Sequence, residues 1–287
     1  MEILLAKSAG FCFGVKRATQ MAFAAAEQHV YICSLGPIIH SPQVVDKLAE
    51  QGVQVVDRVE EIGEGAVIIR SHGVTAGEMQ AIAARSLTVI DATCPFVKKA
   101  QEYAARLAAE GYTVVIVGEA EHPEVQGIVS YAATGKVQVV ADPDQAAQLP
   151  RFGRVGIVAQ TTQSFENLRQ VTDICLAKCQ ELRVYNTICD ATSVRQNEAR
   201  EIARQVDVML VIGGYNSANT TRLAHVCREI QPATHHIETA GEIERAWFVA
   251  ARRVGITAGA STPRWLIDEV AGRVAELAES IEKEAGK

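Results

Sequence analysis

Three of the seven cysteines, Cys12, Cys94 and Cys189, stand at the ends of strand-like runs: LLAKSAGFC, LTVIDATC and LRVYNTIC. A helix-like stretch follows each, and then a second apolar run, HVYICSLG, YTVVIVG or DVMLVIGG. A polar side chain lies 28 residues after each cysteine: His40, His122 and Ser217. A later run in each unit also ends in polar residues. These are RSHG with His72, AQTTQ with Thr161 and Thr162, and AGAST with Ser261, where the register is open by a residue or two. VQVV recurs at 53–56 and 137–140, and RVGI at 154–157 and 253–256. Successive cysteines lie 82 and 95 residues apart. That is too long for a solenoid repeat and suits a small α/β lobe used three times.

Three converging thiolates suit three irons of a 4Fe–4S cluster with the fourth iron open, or zinc with water in its fourth position. No CxxC or ferredoxin-type run is present. A lone cysteine is more simply a small buried hydrophobe. That reading suits Cys33 inside VYICSLG, Cys175 and Cys179 on one helix face, and Cys227 in RLAHVCREI. His40, His72, Ser217, Asn219 and Ser261 fall at strand-to-helix junctions, where helix N-termini receive anions. Plain capping explains any single Ser or Asn there, and histidines at matching positions are harder to explain as caps. Glu124 follows His122 by two residues, behind Pro123. Buried, it is a proton donor with a raised pKa; exposed, it is a favourable first-turn charge.

The elements that must position these groups are parallel strands alternating with helices, so an α/β fold with mostly parallel sheets is expected. Polar residues at the carboxyl ends of such strands are where α/β sheets place ligands. The expected architecture is three pseudo-symmetric small lobes: residues 1–84, 85–178 and 179–287, the last with a C-terminal helix. The chain's 48% hydrophobic and 22% charged residues give an ordinary globular composition. With net charge −6 and no block of like charge, neither nucleic acid nor an anionic membrane is an expected partner. The opening MEILLAKSAG is too briefly apolar for an export signal, and no run approaches the roughly 18 apolar residues of a membrane span. An odd number of widely spaced cysteines places the chain in a reducing cytoplasm.

Several motifs in order carry a resemblance: AGFCFGVKRA, GPIIHSPQVV, RSHGV, DATCPFVKKA, HPEVQG, AQTTQS, NTICDATSVRQ, GGYNSANTTRL and GITAGASTP. Almost end to end, the chain resembles the LytB-type 4-hydroxy-3-methylbut-2-enyl diphosphate reductases of the non-mevalonate isoprenoid pathway. The resemblance implies three lobes around a central 4Fe–4S cluster held by Cys12, Cys94 and Cys189, with one open iron. It implies that His40, His72, His122, Ser217, Asn219 and Ser261 bind the substrate diphosphate. Glu124 would deliver a proton through a relay with Thr161. The implied reaction is two-electron reductive dehydroxylation of an allylic diphosphate, giving isopentenyl and dimethylallyl diphosphate. The open iron would act as Lewis acid, and a ferredoxin or flavodoxin would supply single electrons. Ala218 departs from the pattern, because many relatives carry a second serine there. Rival expectations are a quinolinate-synthase-like dehydratase needing no reductant, a non-enzymatic iron–sulfur sensor, and a zinc hydrolase.

Overall fold

The computed structural model describes residues 1–133 and 135–285. Its strands form three four-stranded sheets in which every pairing is parallel. The first sheet runs β3 (Val53–Val56), β2 (Ile32–Leu35), β4 (Ala66–Ile69), β5 (Thr88–Asp91). The second runs β7 (Val137–Val140), β6 (Thr113–Val117), β8 (Phe152–Ala159), β9 (Cys179–Val184). The third runs β11 (Thr234–Ile237), β10 (Val208–Ile212), β12 (Arg253–Ala258), β1 (Glu2–Leu5). The order is the same each time. The first-formed strand sits between the next two, so the chain reverses its winding between β2 and β4, β6 and β8, and β10 and β12.

Parallel pairing requires crossovers, and helices provide them. They are α1 (Phe13–Gln28), α2 (Pro42–Glu50), α3 (Ala76–Ala83), α4 (Pro95–Ala109), α5 (Pro123–Tyr131), α6 (Pro143–Gln148), α7 (Phe165–Leu176), α8 (Asp190–Ala203), α9 (Ala218–Arg228) and α10 (Arg264–Ala285). The unbroken apolar runs AVII, TVVIV and VMLVI become β4, β6 and β10, buried at every residue. Burial on both faces explains why they do not alternate with polar residues. α10 lays Leu266, Ile267, Val270, Val274 and Leu277 into the core formed by β10 and β12. That is the three- and four-residue spacing of one helix face.

The strand entering each cysteine closes the preceding sheet. β5, which leads to Cys94, pairs with β4; β9, which leads to Cys189, pairs with β8; β1, which leads to Cys12, pairs with β12. The sheets therefore change after Asp91 and Val184, whereas the sequence divides at 84/85 and 178/179. β5 and β9 each return through a helix onto the open edge beside the third strand, and β1, the first strand of the chain, takes the same edge of the third sheet. Two compact units result. One holds Met1–Phe13, His40–Val44 and the chain from Asp190 on, with the third sheet; the other holds Gly14–Ile39 and Val45–Cys189, with the first two sheets. Among the described residues no helix is long and apolar enough to cross a membrane.

Candidate functional site

Every candidate polar residue lies past the carboxyl end of a strand flanking a winding reversal. His40 follows β2 and His72 follows β4. His122 and Glu124 follow β6, and Thr161 follows β8. Ser217 and Asn219 follow β10, and Ser261 follows β12. These are the ligand-bearing crevices of doubly wound sheets. The three cysteines follow the fourth strands, and one hydrogen bond recurs in all three sheets. Cys94 donates its N–H to the Ser71 carbonyl at 2.9 Å, Cys189 to Thr161 at 3.0 Å and Cys12 to Ala260 at 3.1 Å. The acceptor is always two residues beyond the third strand. This fixes the register left open by sequence: Ser71, Thr161 and Ala260 correspond, and so do His72, Thr162 and Ser261.

The placement of the thiols separates three from four. Cys12, Cys94 and Cys189 are half-buried at strand-to-helix junctions. Burial pushes the Cys175 thiol up to about 11 and that of fully buried Cys227 up to about 12. Burial also raises Cys33, against the opposing charge of Arg85, and Cys179, which opens β9 and so does not share a helix face with Cys175 as the spacing suggests. These four lie within strands and helices, away from the strand-to-helix junctions. Three accessible thiols at equivalent positions fit an iron–sulfur group with three cysteine ligands.

In the unit bearing the first two sheets, the start of α5 is an acid corner. His122 is the N-cap, and its Nδ1 accepts the Glu124 N–H at 3.1 Å. Glu124 is 1% exposed. Its Oε1 accepts the Thr161 N–H at 2.6 Å, and its Oε2 accepts the Thr161 hydroxyl at 2.9 Å. Burial raises its pKa to about 7, the Thr161 donors oppose that rise, and the charge of Glu119 adds to it. Burial thus decides between the two roles the sequence leaves open, and the carboxyl can hold a proton near neutrality. Burial, helped by the Arg70 guanidinium, lowers His122 to about 4. The ring is therefore neutral at pH 7, and because Nδ1 accepts, Nε2 carries the hydrogen and donates. His72 meets the His122 ring edge-on, with centroids 5.6 Å apart.

Two residues here escape the sequence reading. Arg70, the first letter of RSHGV, brings a half-buried cation to His122 while its Nε donates to the Gly73 carbonyl at 3.2 Å. Gln160, inside AQTTQ, is fully buried and accepts the Glu119 N–H at 3.1 Å, which ties the loop before His122 to β8.

In the other unit, the start of α9 is a neutral corner. Ser217 caps the helix, accepting the Thr220 N–H at 3.3 Å. The Ser261 hydroxyl reaches the His40 carbonyl at 3.1 Å and the Ser217 hydroxyl at 3.5 Å. Asn219, 8% exposed, has an Nδ2 donor with no protein partner. The turn needs its two glycines. Gly213 has φ +142°, and a Cβ there would come within 2.5 Å of Thr262 Oγ1; one on Gly214 would lie 3.0 Å from the His40 carbonyl oxygen. His40, Ser217 and Ser261 are thus brought together, with Asn219 on the first turn beside them. The corner offers hydroxyl and amide donors, the chemistry for a phosphate held at a helix N-terminus. Ala218 is the first residue of α9.

Comparisons with known proteins show the family and the fold. A family model described as LytB protein matches residues 3–275. The 4-hydroxy-3-methylbut-2-enyl diphosphate reductase of Syntrophotalea carbinolica is 65% identical over 277 residues, spanning 96% of this chain and 99% of the relative. The enzyme of that name from Geobacter sulfurreducens is 64% identical over 277 residues, 96% of this chain and 98% of its own. A solved structure of (E)-4-hydroxy-3-methyl-but-2-enyl diphosphate reductase, described as the terminal enzyme of the non-mevalonate pathway, aligns with TM-score 0.68 at 46% identity. It covers 96% of this chain and 100% of that one. The E-1-hydroxy-2-methyl-but-2-enyl-4-diphosphate reductase from Plasmodium falciparum aligns with TM-score 0.87 at 22% identity, covering 94% and 87%, and shows the shared fold.

Proposed function

The chain belongs to the LytB protein family, and from that premise we infer how its own residues carry out the reaction of a 4-hydroxy-3-methylbut-2-enyl diphosphate reductase. The enzyme performs the last step of the non-mevalonate pathway on an allylic diphosphate. Family membership removes the dehydratase, sensor and zinc-hydrolase readings. The net reaction consumes two electrons and two protons. A C–O bond breaks, a C–H bond forms at either end of the allyl unit, and the hydroxyl leaves as water.

We assign Cys12, Cys94 and Cys189 as the ligands of a 4Fe–4S cluster, which would supply electrons singly and a Lewis-acidic metal. The support is their equivalent anchoring on the three sheets. Glu124 is the proton donor, and the observation that carries this reading is its complete burial with a pKa near 7. A general acid works best when its pKa lies near the working pH. The Thr161 hydroxyl, 2.9 Å from the carboxyl, holds it in place and passes the proton. His40, His72, His122, Ser217, Asn219 and Ser261 hold the diphosphate through hydrogen bonds. Neutral His122 gives the Nε2 hydrogen, and Arg70 adds the positive potential that the matched motifs themselves lack. Electrons come from a one-electron carrier such as a ferredoxin or flavodoxin, in a reducing cytoplasm.

The test is anaerobic purification, iron and sulfide analysis, and assay with the hydroxylated allylic diphosphate and a one-electron donor. Protein with a full cluster should consume substrate and release both isoprenoid diphosphates. Full cluster content without substrate consumption would overturn the assignment.

A further inference from the structure

Aligned on their cysteines, the three loops end DATC (91–94), NTIC (186–189) and AGFC (9–12). In the first two, the side chain three residues before the cysteine folds back on its own loop. Asp91 Oδ1 accepts the Thr93 N–H at 3.0 Å, and Asn186 Oδ1 accepts the Ile188 N–H at 3.1 Å. Such Asx turns hold a loop from within. The third loop has Ala9 at that place, and alanine cannot accept. Its backbone also takes another path, through Gly10 at φ +102°.

The missing tether comes from α8. Arg195 is 3% exposed, and its Nη2 donates to the carbonyls of Ser8 and Gly10, both at 2.8 Å. Its Nη1 donates to the Ala191 carbonyl of its own helix at 3.2 Å. One turn on, Glu198 accepts the backbone N–H groups of Lys7 at 2.7 Å and Ser8 at 2.8 Å, and also the Ser8 hydroxyl. Residues three apart share a helix face, so both side chains reach the same loop. Burial works against ionising Glu198, but the Ser8 and Lys7 donors prevail and hold it below the usual carboxylate range. The bonds it accepts are therefore charge-assisted. The other two cysteine loops are held from outside by other groups: Lys98 of α4 pairs with Asp91 at 2.5 Å, and the Thr187 hydroxyl exchanges two hydrogen bonds with the Ala159 backbone of β8. Arg17 of α1 donates to the Thr93 carbonyl at 3.3 Å, and Tyr103 of α4 stacks on Tyr185 at 4.0 Å.

We propose that Arg195 and Glu198 are positioning residues for Cys12: the clamp they form on residues 7–10 keeps that thiol on the cluster and sets how readily the cluster opens there. This rests on the reading of Cys12 as a cluster ligand.

The test uses anaerobic holoprotein, intact chain, exposed to an iron chelator and iodoacetamide. Visible absorbance follows the cluster, and mass mapping follows alkylation of each of the seven cysteines. Converting the Glu198 bonds from charged to neutral in Glu198→Gln should speed Cys12 labelling about ten-fold while Cys94 and Cys189 stay within about two-fold early in the course. Arg195→Lys should act in the same direction. Asn186→Ala should shift the fast labelling to Cys189. Buried Cys175 and Cys227 report global unfolding, so a variant that merely loosens the fold labels all seven together, which overturns the proposal. Unchanged Cys12 labelling in Glu198→Gln also overturns it. Protection of Cys12 by the cluster in the unsubstituted protein separates the two levels: without protection the ligand assignment falls and this inference with it, whereas protection that Glu198→Gln leaves intact sinks the clamp alone.

Discussion

The second and third sheets build the same corner from different letters. After β6 the chain reads His122-Pro123-Glu124 and starts α5; after β10 it reads Ser217-Ala218-Asn219 and starts α9. Each corner has a capping side chain at its first position and a buried side chain at its third. One buried group ionises and the other cannot. The helix N-terminus favours negative charge in both places. At Glu124 the desolvation cost outweighs that preference, and the carboxyl keeps a proton to about pH 7. At Asn219 a permanent neutral donor meets the same field. The first sheet has His40 and Pro42 at the matching places, so the acid occurs in one copy of three. The fold supplies helix N-termini at equivalent corners, and one residue in each decides whether the corner carries a titratable acid or a neutral donor.

The strongest way to break this contrast is Glu124→Gln, which makes the acid corner resemble the neutral one. Turnover should fall by about 10²–10⁴-fold, the contribution of a positioned general acid, with iron content and visible spectrum unchanged. In the unsubstituted enzyme kcat should decline above about pH 7 as Glu124 loses its proton, and the variant should lack that limb. The stability trend has a definite sign. The folded pKa, about 7, lies above the ordinary 4.5. The stability it contributes is therefore full below pH 4.5 and is lost as pH rises through 7. Relative to the parent, Glu124→Gln should gain up to about 3 kcal/mol between acid and alkaline pH, read by urea unfolding across that range. Equal stability differences at both ends would show that the carboxyl is not held protonated.

The converse change is Asn219→Asp, nearly isosteric, which puts a carboxylate where we propose that the substrate's own negative charge sits. It removes a hydrogen bond to a charged group, about 1.5–3 kcal/mol, and adds like-charge repulsion. KM should rise by about 10²-fold or more, with cluster content unchanged and kcat at saturation affected less. A KM within a few-fold of the parent would take Asn219 out of the diphosphate set.

Much of this contrast is legible in the sequence. The 28-residue spacing pairs His122 with Ser217, and the apolar runs locate β6 and β10, because buried parallel strands do not alternate. Membership of β1, β5 and β9 is not legible. Their local patterns are ordinary: β5 and β9 join an edge through a long crossover, and β1 pairs with a strand about 250 residues later in the chain. The pairing of Thr162 with Ser261 stays open until the cysteine N–H bonds fix it. Arg195 and Glu198 reach a loop nearly two hundred residues away in the chain, and no local pattern signals such a contact. Whether Glu124 is an acid or a helix-dipole charge, and whether His122 is neutral or cationic, are questions of burial, which one sequence leaves undecided.

The smallest expected effect falls on the middle position of the corner, where this chain has Ala218 and the resemblance implies a serine. The second sheet shows how little that position has to give: Pro123 stands there with neither hydroxyl nor N–H. The Ala218 N–H, on the first turn of α9, has no acceptor within the helix, so this corner already has one backbone donor more. A serine hydroxyl beside it would add one donor to those of Ser217, Asn219 and Ser261, which we propose hold the diphosphate. Against that stands a helix-propensity cost of about half a kcal/mol. Ala218→Ser should therefore lower KM by no more than about three-fold at unchanged kcat, since one further hydrogen bond is worth about 1 kcal/mol net. Titration of substrate into Glu124→Gln, alone and combined with Ala218→Ser, measures that difference without turnover. A gain of ten-fold or more would mean that the neutral corner is short of donors as it stands, and that its likeness to the proline-bearing acid corner ends at the backbone.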